Sequence, residues 1–474
     1  VGENGAGKST LMSILYGFHR ADHGEIRIHG RRVALAAPAS AIAAGIGMVH
    51  QQFMLVETMT VLENVLLGAE GGWRLPVAER RTRAELARLA ETYDLAVDPD
   101  AVVGALSVGE QQRVEILKTL HRGAEILILD EPTAVLTPAE TAHLFRILRR
   151  LQAEGKTVIV ITHKLKEIMA ITDHVSVMRS GEIAADWPTA DTTVEALAEA
   201  MVGRRVLLRV DKRPSVPGAV ELSLDRLSLV DRRGVARLAE VSLEVRAGEI
   251  VGIAGVAGNG QSELLDCIAG IREPTSGSIR LGSADLVGLD PAEIRALGLA
   301  HIPEDRRRTG LVLDFSAEEN LLLGRHDAPA WGRGLVFDRA AIRAAARRAF
   351  ADFDVRPPDP TLRAAQFSGG NQQKIVVARE VSSAPRVLLV GQPTRGVDIG
   401  AIEAIHRRLV ALRDAGCAIL LVSAELDEIR ALADRVLCLC QGRVTGECRA
   451  DASEAEIGMM MAGLAARPAA EAVP

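Results

Sequence analysis

Apolar positions in this chain follow two alternating rhythms. Ile126-Leu127-Ile128-Leu129 and Val158-Ile159-Val160-Ile161 are unbroken apolar runs of strand length, the pattern of strands buried on both faces of a parallel sheet. Around them lie stretches of helical character, at Leu11 to Gly17, Thr60 to Gly68, a charge-rich segment from Pro76 to Asp94, and Ser107 through Leu120. Glu25 to Val33 alternates like a half-exposed strand pair, and Ile46 to His50 reads as a short buried strand. Thr60 with Glu63 three residues on predicts a capping box, and Ser107 is placed as the N-cap of its helix. Strands alternating with helices predict an α/β fold.

The two apolar runs end in chemistry, one in Asp130-Glu131 and the other in Thr162-His163. Open α/β sheets bind ligands at the C-terminal ends of their strands, whereas His163 taken alone is equally a surface residue at a helix start. The chain opens on Gly2 to Thr10, GENGAGKST, which fits G-x-x-x-x-G-K-[ST] with Gly2, Gly7, Lys8 and Ser9 in register. Glycines there let successive N–H groups (Glu3, Asn4, Gly5 and Ala6 included) point at phosphate oxygens ahead of a helix N-terminus. Lys8 then reaches the β- and γ-phosphates and Ser9 supplies a magnesium ligand. The plainer alternative is a Gly-rich turn with a solvated lysine.

The second half repeats the first. Gly255 to Ser262, with Gly260 and Gln261, matches Gly2 to Ser9 at a spacing of 253 residues. Phe367 to Gln373 matches Leu106 to Gln112 at 261, VLLVGQPT (Val387 to Thr394) matches ILILDEPT (Ile126 to Thr133) at the same spacing, and LVSAELDEI matches VITHKLKEI likewise. Four landmarks in one order mean two copies of one domain. The boundaries read as a first domain over 1–205, a linker over 206–218 containing Pro214 and Pro217, a second domain over 219–460, and a disordered Ala/Pro-rich tail over 461–474. About thirty residues, Ala219 to Val251, precede the second loop, while the chain begins inside the first, without methionine. The expectation is that the first copy lacks its N-terminal strands.

Composition narrows the class. A net charge of −6 offers no basic surplus for coating nucleic acid. Five cysteines, Cys267, Cys417, Cys438, Cys440 and Cys448, are odd in number and confined to the second half, which points to a reduced setting rather than a disulfide framework. Cys438-x-Cys440 lies in a strand pattern and reads as a metal pair or, better, as small buried hydrophobes. No run of 18 apolar residues exists, so no membrane-spanning helix is expected.

A phosphate loop, a glutamine after a buried strand (Gln51), an S-x-G-x-Q-like signature opening a helix, a hydrophobic strand ending Asp-Glu and a strand ending in histidine together resemble an ABC-type nucleotide-binding domain, twice over. Two such domains fused resemble the ATP-binding subunit of sugar and nucleoside ABC importers; VHQQFMLV, LSVGEQQRVEILK, HIPEDRRRTGLVLDFS and GQPTRGVD lean towards the nucleoside-type branch. The resemblance implies tandem P-loop NTPase domains, each a mixed-sheet core with a helical subdomain, that hydrolyse ATP with Mg2+. It also implies integral membrane permease subunits and an extracytoplasmic substrate-binding protein as partners, no nucleic acid, and a peripheral place on the cytoplasmic face of the cell membrane.

In that family two domains pair head to tail, so each ATP lies between one domain's loop and the other's signature. The first site would combine Gly2 to Thr10, Gln51, Asp130, Glu131 and His163 with Ser368, Gly369, Gly370, Asn371 and Gln372. There Ser9, Gln51 and Asp130 would serve the metal, Glu131 the attacking water, His163 the γ-phosphate, and Gln51 the link to the permease. The opposite site, from Gly255, Gly260, Gln261, Ser262, Glu304 at the glutamine position, Gly391-Gln392 and Ala424, with Ser107, Gly109 and Glu110, has lost the lysine, both carboxylates and the histidine; its adenine-stacking aromatic is absent too. ATP is expected to bind there weakly or stay uncleaved. Phe53, Met54 and Leu55 read equally as permease contacts or as core. A ribosome-associated tandem ATPase is the alternative, but such relatives keep both sites and a long charged linker; an inactive structural subunit is a third reading.

Overall fold

The structure is a computed structural model that describes residues 1–474 apart from 4, 51–52, 70–74, 134–135, 163, 205–211, 257, 334–335, 398 and 465–474. Among the expected site residues, Asn4, Gln51 and His163 lie outside the described residues, as do much of the expected linker and most of the expected tail. The chain divides into two compact units, Val1–Arg205 and Val206–Pro474.

In the first unit the helix Lys8–Leu15 follows the glycine loop, and the strands Ile46–Val49, Ile126–Asp130 and Thr157–Ile161 form a parallel sheet in that order. Thr60 caps the helix Val61–Leu66 and Ser107 caps Val108–His121, each with a glutamate three residues on closing the box. The pattern of Glu25 to Val33 is realised as a hairpin, Ile26–Ile28 against Arg31–Val33. Val49, Val65, Leu86, Ile116, Leu127, Leu129 and Ile147 pack one face of the sheet against the helices. One expectation is corrected. Thr157–Ile161 is not buried on both faces: only Ile161 is, because the strand is the last of its described sheet. Its second-unit counterpart Ala418–Ser423 is wholly buried, since Ile250–Ala254 pairs along its other edge.

The second unit carries a six-stranded sheet in the order Leu299–Ile302, Val387–Gly391, Ala418–Ser423, Ile250–Ala254, Arg435–Cys440, Arg443–Arg449, with only the last strand antiparallel. Its unbroken apolar strands feed two cores by alternation. Leu388, Val390, Ile419 and Leu421 face one core, and Val387, Leu389, Leu420 and Val422 the other, as the period-2 side-chain geometry of a strand requires. A four-stranded antiparallel sheet (Val220–Val230, Ala236–Arg246, Ser276–Leu281, Ala284–Asp285) covers the second core. Cys438 is fully buried among apolar residues. The described end of the expected linker is fastened to this unit. Lys212 donates to the carbonyls of Leu432 and Ala433 and pairs with Asp434, and the buried Arg413 holds Asp434 and the Arg213 carbonyl.

His301, on the strand Leu299–Ile302, is a largely buried titratable group whose ring Nε2 is shut off from solvent without a hydrogen-bond partner among the described residues. Burial pushes its imidazole from 6.5 down to about 4, with Arg295 and Arg379 adding to the effect and Glu380 opposing it. The unfolded chain therefore takes up a proton near pH 6.5 that the folded unit refuses, so this residue's share of stability is intact above 6.5 and is lost as pH falls towards 4. Going from about pH 7 to about pH 5 should cost about 2 kcal/mol through His301. Denaturant titrations of wild type and His301→Gln are expected to differ by that acid-dependent part; equal pH slopes would contradict the assignment.

Candidate functional site

The glycine loop is fixed by sterics at both ends. A Cβ on Gly2 would stand 2.3 Å from the Met178 carbonyl oxygen. Gly7, at φ 98°, holds the left-handed conformation that starts the helix Lys8–Leu15, a conformation that favours glycine. Lys8 folds back over the loop, its Nζ donating to the carbonyls of Gly2 (2.7 Å) and Glu3 (2.9 Å). Burial lowers its pKa, while Glu131, Asp130 and Glu3 resist the shift. Ser9 and Thr10 stand exposed on the first helical turn, where a phosphate-bound cation is reached.

The strand Ile126–Asp130 delivers two successive carboxylates. Asp130 is held above the usual carboxylate range, first by burial and then by the charge of Glu131, against Lys8 and His50. Glu131 sits at φ 51°, and its N–H donates to the Ile161 carbonyl at 2.8 Å. A left-handed glutamate costs backbone energy and persists only where surrounding structure fixes it. A half-buried aspartate with a second carboxylate next to it and a lysine nearby forms a site that a divalent cation and phosphate charge would complement. The residues present therefore fit ATP with Mg2+: Ser9 and Asp130 would hold the cation, and Lys8 and the loop N–H groups the phosphates. Thr162 and Lys164, the neighbours of His163, are fixed by the Lys164 N–H donating to the Thr162 hydroxyl (3.0 Å) and Lys164 Nζ to the Thr133 carbonyl (3.3 Å).

Sequence reasoning missed a cavity of about 230 Å³ beside His50, lined by Tyr16, Phe18, Ile42, Met54, Glu115 and Lys118 among others. Tyr16 meets His50 edge-on, ring centroids 6.0 Å apart, and Phe18 packs on both. Glu115 accepts the Met54 N–H at 2.7 Å and Lys118 donates to the Met54 carbonyl at 2.8 Å. Of the three residues read as permease contact or core, Met54 is 60% exposed, whereas Leu55 packs against Val61, Val103 and Val114. The available signal was Tyr16 and Phe18 close together in a chain only 3% aromatic.

The second unit keeps the shape of the site without the lysine and without the two carboxylates at the strand end. Gly260 starts the helix Gln261–Ile268 at φ 105°. Gln261 donates to the Val256 carbonyl at 3.0 Å, the counterpart of the Lys8 bond to Glu3, and accepts the Asn259 N–H at 3.1 Å. Gln392 adopts φ 46° and donates its N–H to Val422 O at 2.8 Å, repeating the turn of Glu131; its side-chain oxygen accepts the Ala424 N–H at 3.0 Å. A Cβ on Gly391 would meet Glu304 Cγ at 2.7 Å. The Glu304 side chain thus lies against the place from which an aspartate would project, and it accepts the Ser262 hydroxyl.

The two signatures differ in where a proton goes. Ser107 donates its hydroxyl to the Glu110 carboxylate at 2.7 Å, so that proton is committed beside a negative charge. At Ser368 the direction is reversed. Asn371 Oδ1 accepts the Arg356 N–H (2.8 Å), which turns the amide nitrogen towards Ser368 Oγ (2.9 Å). Ser368 accepts there, and among the described residues no protein acceptor takes its proton. Gly109 and Gly370 are buried in the first turns of the two helices, and Gln372 donates to the Ala364 carbonyl at 3.0 Å.

Comparison with known proteins agrees with this architecture. The ABC transporter family profile matches residues 1–134 and 238–395. The guanosine import ATP-binding protein NupO of Bacillus subtilis (strain 168) is 46% identical, covering 100% of this chain and 93% of that protein. The nucleoside import ATP-binding protein NupA of Lactococcus lactis subsp. cremoris (strain MG1363) is 45% identical over 98% and 92%, and a glucose import ATP-binding protein of Haloferax volcanii, TsgD13, is 44% identical over 98% and 90%. Among solved structures, the archaeal ribosome recycling factor aABCE1 in complex with the stalk protein aP1 shares the fold, with a TM-score of 0.61 and 20% identity over 95% of this chain and 85% of that one. The chain belongs to the ABC transporter family, as an import-type ATP-binding subunit with two fused ATPase units, and is an ATP hydrolase.

Proposed function

We propose that this subunit drives nucleoside import by cleaving ATP at one composite site, built from the loop and carboxylates of the first unit and the signature of the second. The observation that carries the reading is the agreement of two independent asymmetries. The unit with Lys8, Asp130 and Glu131 needs the other unit's signature, and it is that signature whose Ser368 proton is available to a phosphate oxygen. The opposite pairing joins Gln261, Gly391 and Gln392 to a serine whose proton Glu110 already holds.

In this reading Lys8 and the loop N–H groups hold the β- and γ-phosphates, Glu131 orients and polarises the attacking water, and His163 contacts the γ-phosphate. Mg2+ would supply charge neutralisation between the phosphates, held by Ser9, Asp130 and Gln51. Phosphoryl transfer depends on positioning and charge more than on covalent chemistry. The second site lacks the clamp and the water-orienting carboxylate, so nucleotide stays uncleaved there. The substrate class rests on the nucleoside and guanosine relatives. The permease would dock over the aromatic cavity beside His50, whose exposed Met54 and Phe18 suit an apolar contact, and a substrate-binding protein would deliver from the far side of the membrane. No helix among the described residues is long and apolar enough to cross a membrane, which suits a peripheral subunit.

Two pairs of substitutions test this in the protein with its permease in lipid vesicles. Glu131→Gln is expected to reduce steady-state ATP hydrolysis by more than about 100-fold and Gln392→Glu to change it by less than about two-fold. Ser368→Ala is expected to lower turnover by about ten-fold or more, because it removes a donor used in the transition state, with Ser107→Ala near wild type. Hydrolysis that survives Glu131→Gln, or falls equally in both serine variants, would overturn the single-site reading.

A further inference from the structure

The segment after Glu304 is three residues longer than its counterpart after Gln51, judged by the distance to the caps Ser316 and Thr60. The extra length forms a π-helical turn, Arg306–Gly310, started by Asp305, whose carboxylate accepts the N–H groups of Arg307 (2.9 Å) and Arg308 (3.1 Å). Such turns mark local insertions and recur at functional sites. Arg306 leaves this turn sideways. Its Nη1 donates to the Arg395 carbonyl at 2.6 Å and its Nη2 to the Gly396 carbonyl at 3.3 Å, in the loop that follows the strand Val387–Gly391. A Cβ on Gly369, the first residue of the signature helix Gly369–Val381, would stand 2.6 Å from that same Nη2.

Two facts indicate that this contact is not incidental packing. The signature position of Gly369 is Val108 in the first unit, so the local backbone accepts a branched side chain, and Gly369 is not in the left-handed region. The Arg306 guanidinium occupies the space a side chain would take there, beside the Gly396 carbonyl oxygen at 3.0 Å from the same Cβ position. Arg306 also carries an electrostatic cost. Burial disfavours its charge, which the Asp305 carboxylate supports and Arg307 and Arg395 oppose, its buried Nε has no partner among the described residues, and none of its described contacts is an ion pair with a carboxylate.

We propose that Arg306 is a positioning residue of the working ATP site. It locks the signature turn Ser368–Asn371 to the loop at Arg395 and Gly396, from the segment that follows the second unit's glutamine-loop position. This rests on the composite-site reading above. It makes the signature answer to movement of the Glu304 to Gly310 segment; the first unit carries Val108 at the place of Gly369.

The test uses the full chain with its permease in vesicles, reading kcat and KM for ATP together with the affinity for ADP, which needs the Lys8 loop but not signature closure. Arg306→Ala is expected to lower kcat by about ten-fold with ADP affinity within about two-fold of wild type, and Arg306→Lys to recover part of the loss. Gly369→Ala is expected to impair wild type, yet to add less than about two-fold in the Arg306→Ala background, the non-additivity of groups in contact. Full kcat in Arg306→Ala, alongside a Ser368→Ala variant that loses turnover, would overturn the role of Arg306 and leave the composite site standing. Full turnover in Ser368→Ala would instead overturn the composite site. If thermal melting shows Arg306→Ala to be unfolded, Gly369→Ala decides: reduced kcat in a folded protein supports the link, and unchanged kcat contradicts it.

Discussion

The chemistry of this protein depends on how one strand ends. Ile126–Asp130 is pinned in the middle of its parallel sheet, and the next residue is forced into a left-handed turn by the bond from Glu131 N–H to Ile161 O. That turn sets two carboxylates side by side near a half-buried lysine, at a place where burial raises the cost of the Asp130 charge. Without bound phosphate and cation the arrangement is electrostatically uneasy; with them each charge has a counterpart. A site whose own charges are poorly solvated is one whose ligand contributes strongly.

The second unit is the natural control. Gln392 keeps the same left-handed turn and the same bond to the neighbouring strand, although the carboxylate is gone. Gln261 keeps the lysine's tether across the loop without its charge. The side chains that stand at the places of Lys8, Glu131 and Gln51 are each hydrogen-bonded within the unit: Gln261 in its own loop, Gln392 to Ala424, Glu304 to Ser262. Gln261 is buried with both its amide oxygen and nitrogen hydrogen-bonded, so the change from lysine leaves no unpaired buried polar group there, and the strand ends that define the site are kept. Geometry and charge have separated between the copies, and the signatures diverge in the matching sense.

Much of this was legible in the residues. The capping boxes at Thr60 and Ser107, the buried strands and the two-copy organisation follow from local chemistry and spacing, and the same positions hold the loop, the carboxylates and the signatures. Three things were not legible. The half-exposed state of Thr157–Ile161 depends on which strand lies beside it, which no local pattern encodes. The cavity at His50 joins residues 16 to 124, so only folding brings its wall together. Arg306 is one of three consecutive arginines; its contact is with Gly369, more than sixty positions on, and spacing carries no trace of it.

In the proposed function each chain cleaves ATP only at the first unit's loop. The most direct measurement is to trap the complex with permease after turnover using Mg2+, ATP and orthovanadate, count the retained ADP per chain, and locate a photoreactive ATP analogue by peptide mapping. One trapped ADP per chain, with the label on the segment around Lys8, is the expected result. Two trapped per chain, or label concentrated on the loop from Gly255 to Ser262, would contradict it.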